Sequence, residues 1–183
     1  EMPRELARTL DKSASHSREA FRKLCELGVT ALAVPEEYGG SGVDILSAIV
    51  VIEELAKRGT SLAGPFIHCA FYGALNILEN GNEAQKADLL PKFARGEILF
   101  AYGLSEPDVG GDLASATVTA TLNPDGKSVV INGTKRWVTG ARIADYVYTL
   151  VRSGPKTERY GNLSLVLVPT TSHGLSVVDI DHI

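Results

Sequence analysis

The sequence predicts an α+β protein, with an N-terminal α-helical domain over residues 1–96 followed by a mostly antiparallel β-barrel or sandwich domain over residues 97–183. Three observations carry this prediction. Up to about Gly96 the apolar residues recur at helical spacing. Beyond it they alternate with polar residues at a period of two. Breaks containing Gly, Pro, Asn and Ser are also closely spaced in this second part, which suits strands joined by short turns and hence antiparallel pairing.

In the helical half, Phe21, Leu24, Cys25 and Gly28 fall at helical spacing, with Gly28 placed as a C-terminal stop. Asp44 can cap a second helix whose Ile45, Ile49, Ile52 and Ala56 form one apolar face, widened by Leu46 and Val50 and ended by Lys57, Arg58 and Gly59. A helix this apolar is expected to be buried on most sides. Residues 62–80 form a third helix closed by Asn80 and Gly81. Asn82 and Gln85 make a capping box for a fourth, which Pro91 is expected to kink or break.

In the second half, Val118, Ala120 and Leu122 alternate with polar or small neighbours, the run Asn123 to Gly126 is a turn, and Val129 and Ile131 alternate again before Asn132 and Gly133. This is a hairpin. Further strands are expected over Lys135 to Thr139, Tyr146 to Val151, Leu163 to Val168 and Leu175 to Val178.

The 183 residues suffice for one domain or two small ones. A composition of 44% hydrophobic and 22% charged residues is that of a soluble globular protein, and excludes disorder and disulfide scaffolds. The net charge of -4 has the wrong sign for a general polyanion binder, so nucleic acid is not an expected partner. Cys25 and Cys69 sit in apolar surroundings without a CxxC pattern and read as reduced core thiols. No apolar run is long enough for a membrane span and no leader pattern is present. The chain begins at Glu1 and ends at Ile183 after an apolar run, and reads as part of something longer.

Several familiar motifs fail on spacing. Gly40-Ser41-Gly42 begins like a dinucleotide fingerprint, but Ile45 stands where the third glycine is needed. Gly103-Leu104-Ser105-Glu106-Pro107 lacks the final glycine of a nucleophile elbow. His16, His68, His173 and His182 show no metal-ligand pairing, so no metal is expected. Asn132-Gly133-Thr134 and Asn162-Leu163-Ser164 match glycosylation acceptors but read as turns.

Two stretches stand apart. Tyr102 to Asp112 starts as a strand and opens into a loop rich in glycine and small polar groups, which offers backbone N–H donors. Lys135-Arg136-Trp137-Val138-Thr139-Gly140 places the only tryptophan on an expected strand with a threonine two residues later, hence on the same face. An indole beside a hydroxyl suits a flat heteroaromatic ligand. Composition and spacing leave two readings open here: a planar-ligand site, or a core tryptophan and an ordinary loop.

Taken together, these motifs resemble the acyl-CoA dehydrogenase family over nearly the whole chain, from about Arg18 onward. In order they are Val34-Pro35-Glu36-Glu37-Tyr38-Gly39-Gly40-Ser41-Gly42, Glu53-Glu54-Leu55-Ala56, Leu89-Leu90-Pro91, the Tyr102 to Asp112 loop, and Asn132-Gly133-Thr134-Lys135-Arg136-Trp137-Val138-Thr139. The resemblance implies a helical domain, a middle β-domain and a C-terminal helical bundle, the last absent from these residues. It implies FAD contacted by Tyr102, Leu104, Ser105, Gly110, Gly111, Trp137, Val138 and Thr139. The implied reaction is α,β-dehydrogenation of an acyl-CoA, in which a carboxylate base takes the α-proton and flavin N5 accepts a hydride from Cβ. No catalytic residue is transferred to this chain: the family base is a glutamate of the C-terminal region, and Glu106 matches a structural position of the motif.

Two departures from the family pattern stand out. Gly111 occupies a position where serine is common, which puts its substrate contact in doubt, while Ser105 replaces threonine and keeps the hydroxyl. The resemblance further implies electron-transfer flavoprotein or a similar acceptor, a homo- or hetero-oligomer such as a homotetramer, a role in fatty-acid metabolism, and a bacterial cytoplasmic or mitochondrial matrix location. Two alternatives keep the fold: a non-catalytic structural subunit of a heteromeric acyl-CoA dehydrogenase, and a flavin-dependent oxidase or monooxygenase.

Overall fold

The computed structural model describes residues 4–13, 15–157 and 159–180, without the side chains at 11, 60–62, 69 and 70. The expectations for Cys69 and His182 therefore lie outside the described residues. The chain divides into two compact units, Glu1–Phe100 and Ala101–Ile183.

The first unit is helical. A helix not anticipated from sequence, α1 (Arg4–Lys12), opens it. Its apolar stripe is too short to stand out, since Ala7 is buried while Leu6 remains exposed. In α2 (Arg18–Glu26) the Ser17 hydroxyl accepts the Ala20 N–H at 3.1 Å, and Gly28 follows with φ 75°, the left-handed stop expected there. Cys25 is half-buried, not fully buried, and its thiol donates to the Phe21 carbonyl at 3.1 Å. Burial pushes that thiol's pKa up.

The Val34 to Gly42 motif is a structural turn. The N–H groups of Ser41, Gly42 and Asp44 donate to the carbonyls of Ala31, Val34 and Leu32. A Cβ on Gly40 would lie 1.8 Å from the Val34 carbonyl oxygen, so only glycine fits.

Helix α3 (Ile45–Ala56) is capped by Asp44 as expected, its carboxylate accepting the Ser47 N–H at 3.0 Å. The expectation that α3 is buried on most sides is wrong. Only Ala48 is buried, whereas Leu46 is 78% and Val50 57% exposed. The unit packs on one narrow stripe of α3 and leaves the widened apolar face to solvent.

Residues 60–80 are continuously helical, through α4 (Thr60–Ile67), a π-helical segment His68–Leu75, and α5 (Asn76–Asn80). Gly73 lies in the π segment, where a Cβ would fall 2.2 Å from the Phe93 ring. Helix α6 (Glu83–Ala94) has the expected capping box, with Asn82 N–H to Gln85 and Gln85 N–H to Asn82 both at 2.9 Å. It runs through Pro91 to Ala94, so the expected break is absent. Leu90 and Phe93, almost fully buried on either side of the proline, hold that last turn, and Phe93 stacks on Phe100 at 4.3 Å.

The second unit is built on β1 (Phe100–Gly103), β2 (Thr119–Leu122), β3 (Val129–Asn132), β4 (Tyr146–Arg152) and β5 (Leu163–Pro169). The sheet runs in the order β1-β4-β2-β3, with β5 also on β4. β2 and β3 form the expected hairpin, with Leu122 opposite Val129. β4 pairs antiparallel with β5 from Tyr146–Pro169 to Arg152–Leu163 and meets β2 in parallel at Thr119. β4 is the central strand: Val147 to Arg152 are all buried.

Two expected strands do not form. Leu175 to Val178 is irregular, with Val178 largely exposed. Lys135 to Thr139 is also irregular: Trp137 has φ 60°, and the Thr139 N–H closes a tight turn onto the Trp137 carbonyl at 3.1 Å. The alternation that would place Trp137 and Thr139 on one face therefore does not apply.

Candidate functional site

In the second unit the chain leaves β1 at Gly103 and meets the irregular 135–139 segment. Glu106 anchors this junction and is only 4% exposed. Its carboxylate accepts the Thr117 N–H at 2.8 Å, the Thr117 hydroxyl at 2.6 Å, the Val118 N–H at 3.0 Å and Lys135 Nζ at 2.8 Å. Burial by itself would raise the Glu106 pKa. The Lys135 ammonium, the Thr117 hydroxyl and the two backbone donors overcome that and hold it down to about 2. Glu106 is thus an ionised clamp at neutral pH, and a carboxylate held this far below the usual range is a poor proton acceptor there.

The same contacts draw together parts of the two stretches singled out in the sequence. Lys135 Nζ also donates to the Leu104 carbonyl at 2.9 Å, and the Arg136 N–H donates to the Ser105 carbonyl at 2.8 Å. The carbonyls of Leu104 and Ser105 are therefore spent on residues 135–136. The donors are not: the N–H groups of Leu104, Ser105, Trp137 and Val138 and the hydroxyls of Ser105 and Thr139 have no partner among the described residues. Leu104, Ser105 and Val138 are half-buried, whereas Trp137 and Thr139 are exposed. A cluster of unpaired donors at a partly buried junction fits a ligand whose edge is rich in acceptors, as a flavin's is.

Trp137 is 61% exposed, and its indole is capped by the Arg136 guanidinium at 4.6 Å. Trp137 is therefore not buried in the core of the second unit. Tyr102 lies half-buried on β1, its ring 5.4 Å from that of Tyr148.

Gly110 and Gly111 are exposed beyond the turn closed by Glu106 and Val109. A Cβ at either position would meet nothing within 4 Å, so crowding does not account for glycine there. Gly111 lines a cleft of about 640 Å3 with Asp112, Leu113, Arg159 and Tyr160, and no other predicted contact residue lines it. Arg159 pairs with Asp112 at 2.9 Å. The Ser115 hydroxyl and then Arg159 hold the Asp112 carboxyl below its ordinary range.

Sequence reasoning did not assign Arg152. It is buried at the end of β4, and its guanidinium donates to the carbonyls of Ala114 at 2.7 Å, Ala116 at 3.2 Å and Gly161 at 3.1 Å. It thereby ties the turn after Asp112 to the loop before β5. The Glu106–Lys135 pair was likewise missed, because partners 29 residues apart on two irregular segments leave no periodic signal. Among the described residues no group of His, Cys, Asp and Glu is arranged to hold a metal ion, and no helix is long and apolar enough to cross a membrane.

Comparison with known proteins bears on this arrangement. The profile of the acyl-CoA dehydrogenase N-terminal domain matches residues 1–97, and that of the acyl-CoA dehydrogenase middle domain matches residues 101–182. The "Probable acyl-CoA dehydrogenase YngJ" of Bacillus subtilis (strain 168) is 33% identical over 171 residues, 93% of this chain and 44% of that protein. An acyl-CoA dehydrogenase from Bacillus anthracis, solved in complex with FAD, superposes with a TM-score of 0.79 at 34% identity over 88% of this chain and 27% of that one. A chain of the ChsE4–ChsE5 complex from Mycobacterium tuberculosis gives a TM-score of 0.75 at 36% identity, covering 86% and 39%. The chain spans less than half the length of these relatives.

Proposed function

The chain belongs to the acyl-CoA dehydrogenase family, and from that premise we propose that it forms the N-terminal and middle parts of an FAD-dependent enzyme that oxidises an acyl-CoA thioester across Cα and Cβ. The observation that carries the reading is the cluster of unpaired donors contributed by residues 104–105 and 137–139, fixed in place by a buried ion pair.

In this proposal the Leu104 and Ser105 N–H groups and the Ser105 hydroxyl donate to the polar edge of FAD. Trp137, Val138 and Thr139 flank it, Trp137 covering apolar ring surface that would otherwise face water. Tyr102, Gly110 and Gly111 complete the contacts, Gly111 through its backbone alone. FAD, when bound, supplies the acceptor for the hydride leaving the acyl chain. Glu106 plays no part as a base, since its depressed pKa and the four hydrogen bonds its carboxylate accepts leave it too weakly basic to take the α-proton. The α-proton goes to a carboxylate outside these residues. The 183 residues alone hold FAD weakly, because they build only part of its site.

The enzyme reading is tested by titrating the holoprotein anaerobically with a panel of acyl-CoA thioesters. Bleaching of the flavin's visible band by at least one member supports it, whereas a flavin that none of the thioesters reduces, but that another small-molecule substrate reduces and oxygen then reoxidises with release of hydrogen peroxide, moves the chemistry to an oxidase. A second reading is favoured by one observation. Gly111 removes the hydroxyl common at that position although a side chain would fit, which suits a structural subunit of a heteromeric dehydrogenase. Co-purification with a second, catalytic chain, without FAD bound to this one, would establish that reading in place of the first.

A further inference from the structure

The unpaired donors between β1 and the 135–139 segment are aimed by contacts on the opposite side of the chain. The Leu104 carbonyl and the Ser105 N–H belong to one peptide unit, and every described peptide bond is trans. In a planar trans peptide the C=O and N–H point in opposite directions. Whatever holds the Leu104 oxygen therefore sets the direction of the Ser105 N–H. That group is Lys135, whose ammonium donates to the Leu104 oxygen at 2.9 Å and to Glu106 Oε1 at 2.8 Å. Both charged side chains are almost wholly buried, Lys135 at 9% and Glu106 at 3% exposure.

The next peptide unit is fixed from both ends. The Arg136 N–H holds the Ser105 oxygen at 2.8 Å, and the Glu106 N–H donates to the Val109 carbonyl at 2.8 Å. Of these two units, the Leu104–Ser105 unit is the one held by a side chain. Without Lys135, the Leu104 oxygen would be a half-buried acceptor with no partner, and rotating the peptide unit to find one would carry the Ser105 N–H away from its present direction.

We propose that Lys135, held by Glu106, is a positioning residue for the flavin: it fixes the Leu104–Ser105 peptide so that the Ser105 N–H faces the cofactor. Lys135 touches the loop and not the ligand, and its charge is neutralised by Glu106. The pair contributes orientation to the site, not net charge. This inference rests on the reading that residues 104–105 and 137–139 contact FAD, and the test separates the two.

FAD is titrated into the apoprotein form of the full-length protein as wild type, Lys135→Met, Lys135→Arg, and the Lys135→Met/Glu106→Gln pair, following fluorescence quenching, the visible band of the bound flavin and thermal unfolding. The double variant removes both charges, so it keeps the test informative if Lys135→Met alone does not fold. Wild type is expected to bind FAD, Lys135→Met and the double variant to weaken binding by about tenfold or more and to shift the visible band, and Lys135→Arg to recover most of the affinity. A lower unfolding temperature with wild-type FAD affinity and an unshifted band would reduce Lys135 to a structural residue and overturn the inference. Absence of FAD binding by wild type itself would instead overturn the functional reading on which the inference rests.

Discussion

Replacing Glu106 by Gln removes one charge from a buried polar cluster of the second unit. The carboxylate accepts four hydrogen bonds between 2.6 and 3.0 Å. Gln keeps a single acceptor oxygen and turns its amide NH2 toward donors, so at least one of those bonds becomes a donor–donor contact, and Lys135 loses its counter-charge. Breaking a buried ion pair from one side costs about 3–5 kcal/mol. The acid side gives an independent figure. A pKa lowered from 4.5 to about 2 corresponds to about 3 kcal/mol of stability.

The sign follows from the direction of the shift. Because the folded-state pKa is depressed, the contribution is complete above about pH 4.5 and is lost as pH falls toward about 2. Urea unfolding of both proteins from pH 7 down to pH 2 is expected to show the variant less stable by about 3–5 kcal/mol at neutral pH, with the gap narrowing below about pH 4.5. A gap under about 1 kcal/mol at pH 7, or one that stays constant to pH 2, would refute the assignment of Glu106 as an ionised clamp.

Other substitutions probe separate parts of the molecule. Trp137→Ala is expected to cost little stability, since the indole is exposed, but to weaken flavin retention by about 1–3 kcal/mol, measured by FAD titration of the full-length protein. Gly96→Ala meets both a φ of 64° and the Cys25 sulfur 1.9 Å from the new Cβ, and is expected to lower stability by about 2–4 kcal/mol in urea unfolding. Leu46→Ser on the exposed face of α3 is expected to change unfolding stability by less than about 0.5 kcal/mol in the isolated chain, and a loss of core-like size would mean that the face is buried. Gly111→Ser finds open space and is expected to leave stability within about 0.5 kcal/mol of wild type, so any change in ligand affinity reads the added hydroxyl directly.

The parts of the fold legible in the sequence were those with local physical signatures. Asp44, Asn82 with Gln85, and Gly28 each satisfy helix-end groups within a few residues, and each lies where its pattern pointed. The hairpin turning at Asn123 to Gly126 is local in the same sense. What failed depended on distant partners. The apolar face of α3 follows helical spacing correctly, yet spacing cannot say whether anything covers it. Pro91 carries a breaker's signal, but the burial of Leu90 and Phe93 outweighs one missing backbone hydrogen bond.

The candidate site divides along the same line. The motifs located the right segments, but the strand expected over Lys135 to Thr139 is a turn, because Lys135 and Arg136 bond to residues some thirty positions earlier in place of a neighbouring strand. Glu106, Lys135 and Arg152 act over 29 to 38 residues of sequence, where no periodicity reaches.

The dehydrogenase reading is tested at its root by adding FAD, followed by an acyl-CoA thioester, to the purified full-length protein under anaerobic conditions. The expected result is a bound flavin whose visible absorption is bleached by the thioester without any added reductant. A protein that retains FAD but is not reduced by any acyl-CoA, or one that takes up no FAD at all, would contradict it.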